Sequence, residues 1–139
     1  IQRLEIGDLI SLNNAVFKEE KVEILREAGV FIQTSRFEGL LTGALGTLSF
    51  GIPWVNLGAN LSREVDDYDA GLEVLQSPED IGAGIVDMIT ILKRENTTLS
   101  SNARKLAQEY SWTSIAEKSI YLYRKVLSVE SKRPVSRNR

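Results

Sequence analysis

Cysteine and histidine are absent from the 139 residues of this sequence, proline occurs only three times and methionine once. Without cysteine there is no disulfide framework and no thiolate nucleophile. Without histidine, the chain lacks the commonest general base and the commonest zinc ligand, which excludes Ser-His and Cys-His mechanisms. Any catalysis by these residues must therefore rely on carboxylates, lysine, arginine or backbone dipoles.

The sequence also lacks an excess of either charge and lacks long apolar runs. Its 17 Lys and Arg against 19 Asp and Glu give a net charge of -2, which offers no electrostatic case for a nucleic-acid partner. No run approaches the roughly 20 apolar residues that span a bilayer. With 42% hydrophobic and 26% charged residues, the composition is typical of one globular domain, for which the default expectation is a cytoplasmic location.

The most informative pattern is a glycine-containing turn between two short apolar runs. The first run is Gly29–Gln33, the second is Pro53–Leu57, and a short helix that ends near Gly51 is predicted between them. This order predicts a buried strand, a turn, a helix and a second buried strand. Such a turn places free backbone N–H groups and a helix N-terminus at the edge of a sheet, where phosphates bind.

The remaining elements alternate between strands and helices. The two apolar runs are predicted to be strands over 30–34 and 53–57, and further strands are predicted at Leu9–Leu12 and Ala70–Leu75. Helices are predicted at 18–28, after Ser77-Pro78, at 99–110 and from Trp112 onward. Ser111 is predicted to cap the last helix, whose apolar stripe consists of Trp112, Ile115, Ala116, Ile120, Tyr123 and Leu127. The alternation predicts an α/β fold, a Rossmann-like three-layer sandwich with a parallel sheet. Four strands are fewer than this class usually has, and we expect the rest of the sheet upstream of residue 1. The domain is predicted to span 1–127, followed by a flexible basic tail, 128–139.

Four segments, taken in order, resemble one family. They are Phe17–Lys21 (FKEEK), Ile32–Gly39 (IQTSRFEG), Ser49–Pro53 (SFGIP) and Tyr110–Trp112 (YSW). The sequence is similar to the second half of the C-terminal, donor-binding domain of retaining GT-B-type glycosyltransferases. These belong to the glycosyl transferase group 1, or family 4, class that builds bacterial polysaccharides and glycoconjugates. The resemblance implies half of a GT-B architecture and a nucleotide-sugar donor.

The resemblance also implies a set of site residues. Glu38 would be the catalytic residue that faces the hydroxyls of the donor sugar and orients it. The other implied donor-binding residues are Ser35, Arg36, Gly39, Leu40, Leu41, Thr42, Gly46, Asn13 and Asn14, with the two asparagines near the nucleobase. The family carries a second Glu eight positions after the first, where it holds the ribose, and this sequence has Gly46 there. Leu41 stands where the family usually has proline.

Partners and cofactors follow from the same resemblance. The nucleotide-diphosphate sugar would be a substrate, and neither a cofactor nor a metal is implied. The basic residues that clamp the diphosphate and the acceptor-binding N-terminal domain are expected outside this chain, which would then be inactive alone. The basic tail could touch an anionic membrane surface, although a solvated end explains it as well. An oligomer is a further expectation, because an uncovered sheet or helix surface favours association.

Simpler interpretations stand beside these roles. Glu38 could be a surface residue favoured by a helix N-terminus, and Ser35, Asn13 and Asn14 could be turn formers. Gly43 and Gly46 are interpreted as sites of close helix packing. Glu64 could face the donor or cap a helix. The acidic residues Asp66, Asp67 and Asp69 are interpreted as a solvated turn rather than a metal site.

Two other functions remain open from sequence. With Gly46 in place of the ribose-binding Glu, the chain could be a non-catalytic, glycosyltransferase-like binding module. It could also be an unrelated doubly wound domain with a phosphate-binding turn, such as a sugar-nucleotide epimerase.

Overall fold

A computed structural model describes residues 6–35, 42–58, 61–94 and 97–130 of the chain. The strands are β1 (Phe31–Gln33), β2 (Trp54–Asn56) and β3 (Gly71–Glu73). The helices are α1 (Lys18–Glu27), α2 (Thr42–Ser49), α3 (Ser62–Asp67), α4 (Pro78–Leu92), α5 (Leu99–Glu109) and α6 (Trp112–Glu130), and a 3-10 turn precedes them at Gly7–Leu9.

The three strands form a parallel sheet in the order β1-β2-β3. Phe31 lies opposite Trp54, which lies opposite Gly71. Parallel neighbours require a crossover connection, and α2 and α3 provide it here. The predicted strands at 30–34, 53–57 and 70–75 are therefore confirmed, each with a shorter hydrogen-bonded part.

Both faces of the sheet are covered by helices. Successive side chains of a strand point to opposite faces, and Trp54 and Val55 of the central strand accordingly belong to different buried clusters. Trp54 packs with residues of α2, α3 and α5, whereas Val55 packs with Met88 of α4. The predicted α/β three-layer arrangement with a parallel sheet is thus confirmed.

The start of α4 follows directly from its sequence. Ser77 precedes the helix with extended backbone, and its Oγ accepts a hydrogen bond from the N–H of Asp80 at 3.0 Å. Pro78 occupies the first helical position, where its missing N–H costs nothing. The helix start predicted from Ser77-Pro78 is confirmed.

The strand predicted at Leu9–Leu12 is wrong. Leu9 ends a 3-10 turn, and residues 10–17 have no regular secondary structure. Leu9 and Leu12 are 84% and 80% exposed. An apolar run becomes a strand only when a neighbouring strand pairs with it, and among the described residues the three strands of the sheet pair with one another and not with this segment.

Helix α6 differs from its prediction in what it buries. Its Ser111 cap is confirmed, because Ser111 Oγ accepts a hydrogen bond from the N–H of Ser114 at 3.2 Å. The apolar stripe of a surface helix usually faces the core, yet here Trp112 is 91% exposed, and Ile115, Ile120, Tyr123 and Leu127 are also exposed. The helix packs against α5 and continues to Glu130. None of the described helices is both long enough and apolar enough to cross a membrane.

Candidate functional site

Three polar side chains mark the carboxyl edge of the sheet. Gln33, Asn56 and Glu73 are the last residues of β1, β2 and β3. Because the strands are parallel, all three lie at one edge, which is where open α/β sheets bind ligands. Gln33 and Asn56 are buried, at 7% and 2% exposure, whereas Glu73 is exposed.

Asn56 holds the connection that leaves the central strand. Its Nδ2 donates to the carbonyl of Leu72 at 3.3 Å, and its Oδ1 accepts from the N–H of Gly58 at 3.0 Å. Gly58 has a φ of +76°, a conformation that favours glycine. The buried amide therefore joins β2 to β3 and fixes the first residues of the loop that follows β2.

Glu73 contacts the same loop from the neighbouring strand. Its carboxylate accepts a hydrogen bond from the hydroxyl of Ser62, at the start of α3. A Cβ placed on Gly58 would lie 3.4 Å from Glu73 Oε1, so the carboxylate also lies against the Gly58 backbone. Sequence reasoning missed Asn56, Ser62 and Glu73. The signal that could have found them is a polar residue at the end of each predicted strand.

The structure describes only part of the predicted donor site. Ser35 lies two residues beyond the end of β1 and is half-buried, and Thr42 begins α2. The remaining residues of the turn, Arg36, Glu38, Gly39, Leu40 and Leu41, lie outside the described residues. Their roles stay predictions.

Gly46 lies in the middle of α2, away from the core. The buried residues of this helix are Ala44, Thr47 and Leu48. A Cβ placed on Gly43 or Gly46 would have no described heavy atom within 4 Å outside the helix's own backbone. The interpretation of these two glycines as close-packing sites is therefore wrong for the described part of the chain, because there is open space where packing was expected.

Asn13 and Asn14 are exposed in the irregular segment before α1. Asn13 Oδ1 accepts a hydrogen bond from Ser11 Oγ at 3.5 Å, a local contact that suits a turn former. Their predicted role near a nucleobase stays a prediction.

Glu64 connects two helices. The hydroxyl of Tyr110, at the end of α5, donates to Glu64 Oε1 of α3 at 3.5 Å. Burial raises the pKa of Tyr110 above its ordinary value of 10.0, and the charge of Glu64 and its hydrogen bond raise that pKa further. This contact gives Glu64 a structural role.

Three acidic side chains at the end of α3 and directly after it are exposed to solvent. Asp66, Asp67 and Asp69 are exposed, and Asp67 forms an i, i+4 ion pair with Arg63 at 3.7 Å. Within the described ranges, no three Asp, Glu, His or Cys side chains are grouped as metal ligands.

These observations define the class of fold. A three-stranded parallel sheet with helices on both faces is an α/β fold, and it matches part of a GT-B enzyme. One solved structure that this chain matches is that of sucrose-phosphate synthase from Thermosynechococcus elongatus, with a TM-score of 0.71 and 21% sequence identity. The match covers 92% of this chain and 33% of the enzyme, so the chain spans about a third of the enzyme's length. At this identity the similarity shows the fold alone. No family profile and no curated protein sequence matches the chain.

Proposed function

We propose that this chain is the nucleotide-sugar-binding part of a retaining glycosyltransferase that acts in bacterial polysaccharide or glycoconjugate synthesis. The observation that carries the proposal is the position of residues 32–35, the described part of the family-like segment Ile32–Gly39. They begin in β1 and end at the carboxyl edge of a parallel sheet, in a fold that matches part of a GT-B enzyme. The acceptor-binding domain would be supplied from outside these residues.

The proposed chemistry needs few side chains. The first N–H groups of an α-helix have no partner within the helix and carry the positive end of its dipole. At the start of α2 they would stabilise a departing diphosphate as the glycosidic bond breaks. Glu38 would accept hydrogen bonds from the sugar hydroxyls and orient the sugar. No metal is required for either role.

A titration with variants at Gly46 tests the donor site. Because the described residues leave space beside Gly46, a glutamate there can project from α2 without displacing the core. If a ribose binds beside this helix turn, Gly46→Glu should tighten UDP, UDP-glucose or GDP-mannose binding by about tenfold to a hundredfold, since each charge-assisted hydrogen bond contributes about 1.5–3 kcal/mol. Isothermal calorimetry measures this change.

Two controls separate a ribose contact from a general effect on the helix. Gly46→Ala gives the change in helix propensity alone, about 1 kcal/mol in stability. Gly46→Gln adds an uncharged side chain of nearly the same shape. The proposal predicts tightening by Glu that exceeds tightening by Gln. It also predicts that Glu38→Gln weakens the binding of UDP-glucose or GDP-mannose, whose sugar Glu38 would contact, more than the binding of UDP. Equal effects of Glu and Gln at position 46, or an equal effect of Glu38→Gln on UDP and UDP-glucose, would contradict it.

The second candidate function is a non-catalytic, glycosyltransferase-like binding module. The observation that favours it is the glycine at the ribose position, which removes two charge-assisted hydrogen bonds from the donor site that the resemblance implies. This candidate predicts no saturable heat with any of the three nucleotides, for the original chain and for Gly46→Glu alike.

A further inference from the structure

A cavity of about 410 Å³ lies at the opposite edge of the sheet from the proposed donor site. Its walls come from the end of α1 and the turn before β1, from the turn before β2, and from Leu92, Ser100 and Arg104. The turns that precede β1 and β2 are at the amino edge of the sheet. The cavity is therefore separate from the carboxyl edge, and its volume is within the range that small molecules occupy.

One cationic group of the cavity is held in place by the protein. Arg104 Nη2 donates to the carbonyl of Phe50 at 2.9 Å, and Nη1 donates to Ser100 Oγ at 3.1 Å. Gly51, at a φ of +78°, lies so close that an added Cβ would be 2.6 Å from Arg104 Cζ. The guanidinium is thus positioned before any ligand arrives, which lowers the entropic cost of binding.

The described lining of the cavity has positive charge and no carboxylate, and Glu19 and Glu23, acidic residues of the helix that carries Arg26, line a separate depression beside that arginine. Arg26 and Arg104 both line the cavity, and no Asp or Glu is among its described lining residues. Neither arginine forms an ion pair with any carboxylate in the described part of the chain, where the ion pairs are Arg63–Asp67 and Lys118–Glu109. The described hydrogen bonds of Arg104 use two of the five N–H donors of a guanidinium.

Apolar side chains complete the wall. Leu25, Ile52 and Leu92 line the same space as the two arginines. A guanidinium matches the geometry of a phosphate or carboxylate, and the aliphatic side chains would cover an attached carbon skeleton. The cavity therefore combines a charged recognition group with an apolar surface.

We propose that this cavity binds a small organic oxyanion, a phosphate monoester or a carboxylate with a short apolar body, between Arg26 and Arg104. The oxyanion accepts hydrogen bonds from the remaining N–H donors of Arg104 and is attracted by the charge of Arg26. The apolar body lies against Leu25, Ile52 and Leu92. Because both arginines are exposed, salt screens the attraction and weakens binding.

The test uses the 139-residue chain with ¹⁵N labels, titrated at low ionic strength with inorganic phosphate, phenyl phosphate and benzoate, each against chloride at equal ionic strength. The expected result is a saturable change in the amide signals of Gly29, Gly51 and Ser100. Phenyl phosphate should bind more tightly than inorganic phosphate. A stronger response to benzoate than to phenyl phosphate would assign the site to carboxylates.

Variants distinguish the site from a general attraction of anions. Arg104→Gln loses the charge and, because its amide ends two bonds short of Nη2, also loses the guanidinium donors, and should weaken binding about tenfold or more. Arg26→Gln tests the second charge and should also weaken binding. Lys105→Gln, the next residue of α5 and not part of the wall, is the matched control and should leave binding unchanged.

Two results would overturn the proposal. One is the absence of saturable changes at the three amides with all three probes at millimolar concentration. The other is an equal loss of binding in Lys105→Gln and Arg104→Gln, which indicates only a diffuse attraction. Unfolding of each variant without anion, followed by circular dichroism, shows whether Arg104→Gln remains folded. If it does not, Arg26→Gln alone decides.

Discussion

Thr47 supports the largest buried side chain of the sheet. Trp54 is 1% exposed, and its indole Nε1–H donates to Thr47 Oγ1 at 2.7 Å. The Thr47 hydroxyl in turn donates to the carbonyl of Ala44 at 2.7 Å. The Thr47 hydroxyl is thus the hydrogen-bond partner of the buried indole N–H.

Replacing that hydroxyl should be costly. Thr47→Val keeps the shape of the side chain and leaves the indole N–H of Trp54 buried without a partner. We expect a loss of about 1–3 kcal/mol in the free energy of unfolding, since that is the usual penalty for an unsatisfied buried group. Urea denaturation measures it. The matched control is Thr90→Val, whose hydroxyl bonds Val86 on the exposed side of α4. A similar loss in both variants would contradict the argument.

Two glycines of α4 should respond oppositely to the same substitution. A Cβ on Gly84 would lie 2.4 Å from Val74 Cγ1, whereas a Cβ on Gly82 would meet no described atom within 4 Å. Gly84→Ala should therefore destabilise the protein by about 1–3 kcal/mol through overpacking. Gly82→Ala should stabilise it by up to about 1 kcal/mol through helix propensity. Thermal unfolding of the two variants checks the difference, and a shift of the same sign in both would refute it.

These glycines show what a sequence can reveal about single residues. Four glycines interrupt helical patterns, and nothing in the sequence distinguishes one from another: Gly43, Gly46, Gly82 and Gly84. The space beside each depends on residues outside its own helix, such as Val74, which directly follows β3, for Gly84. Close packing was predicted at Gly43 and Gly46, whereas the described structure has it at Gly84 and at Gly71, where a Cβ would approach the Trp54 carbonyl.

An ion pair joins the last two helices. Lys118 Nζ of α6 lies 2.9 Å from Glu109 Oε2 at the end of α5, and it also donates to the Glu109 carbonyl at 3.2 Å. The hydrogen bond and then the charge of Lys118 lower the pKa of Glu109 below its ordinary value of 4.5. A lowered pKa in the folded state means that this contribution to stability is present above pH 4.5 and is lost as the pH falls through the folded pKa.

Removing Lys118 should return Glu109 toward its ordinary titration. In Lys118→Gln the pKa of Glu109 should rise toward 4.5, because the two largest causes of the lowering are removed and only the smaller one, a hydrogen bond from Tyr68, remains. NMR titration of the Glu109 carboxyl measures it directly. Lys125→Gln, farther along α6, serves as the control for the general charge of the helix. A pKa unchanged in Lys118→Gln, or raised equally in both variants, would exclude this pair as the cause.

The start of helix α4 was predictable from sequence, whereas the lack of a strand at Leu9–Leu12 was not. The Ser77-Pro78 signal is local, since the cap, the proline and the first-turn acids lie within four residues. A strand depends on a partner that local sequence does not identify. Leu9–Leu12 has the composition of a strand, but no strand of the described structure pairs with it.

The central strand should be the most protected part of the whole molecule. Trp54, Val55 and Asn56 are all buried, and β2 has a neighbour on each side. Amide exchange in native conditions should be slowest there, because the residues with most burial and hydrogen bonding open last. NMR-detected exchange checks this order. Amides of Tyr121–Val126, on exposed α6, should exchange sooner, and slower exchange there than in β2 would contradict the expectation.

For the chain as a whole, the fold was more predictable than the site. Alternating strands and helices were enough to predict the α/β class and the parallel sheet. The helix predicted from Trp112 onward is present as α6, but the periodicity of its apolar residues says nothing about which element covers them. The predicted sugar contacts at Glu38 and Gly39 lie outside the described residues, while the polar groups that end β2 and β3 became visible only after the strands were aligned.

The two tryptophans occupy opposite extremes of exposure, with Trp54 at 1% and Trp112 at 91%. The chain consequently carries two intrinsic fluorophores, one emitting at short wavelength from an apolar interior and the other at long wavelength from water. A soluble quencher such as acrylamide will extinguish the red component and spare the blue one. Unfolding of the sheet core can then be followed through the fluorescence of Trp54, with Trp112 of α6 as the internal reference.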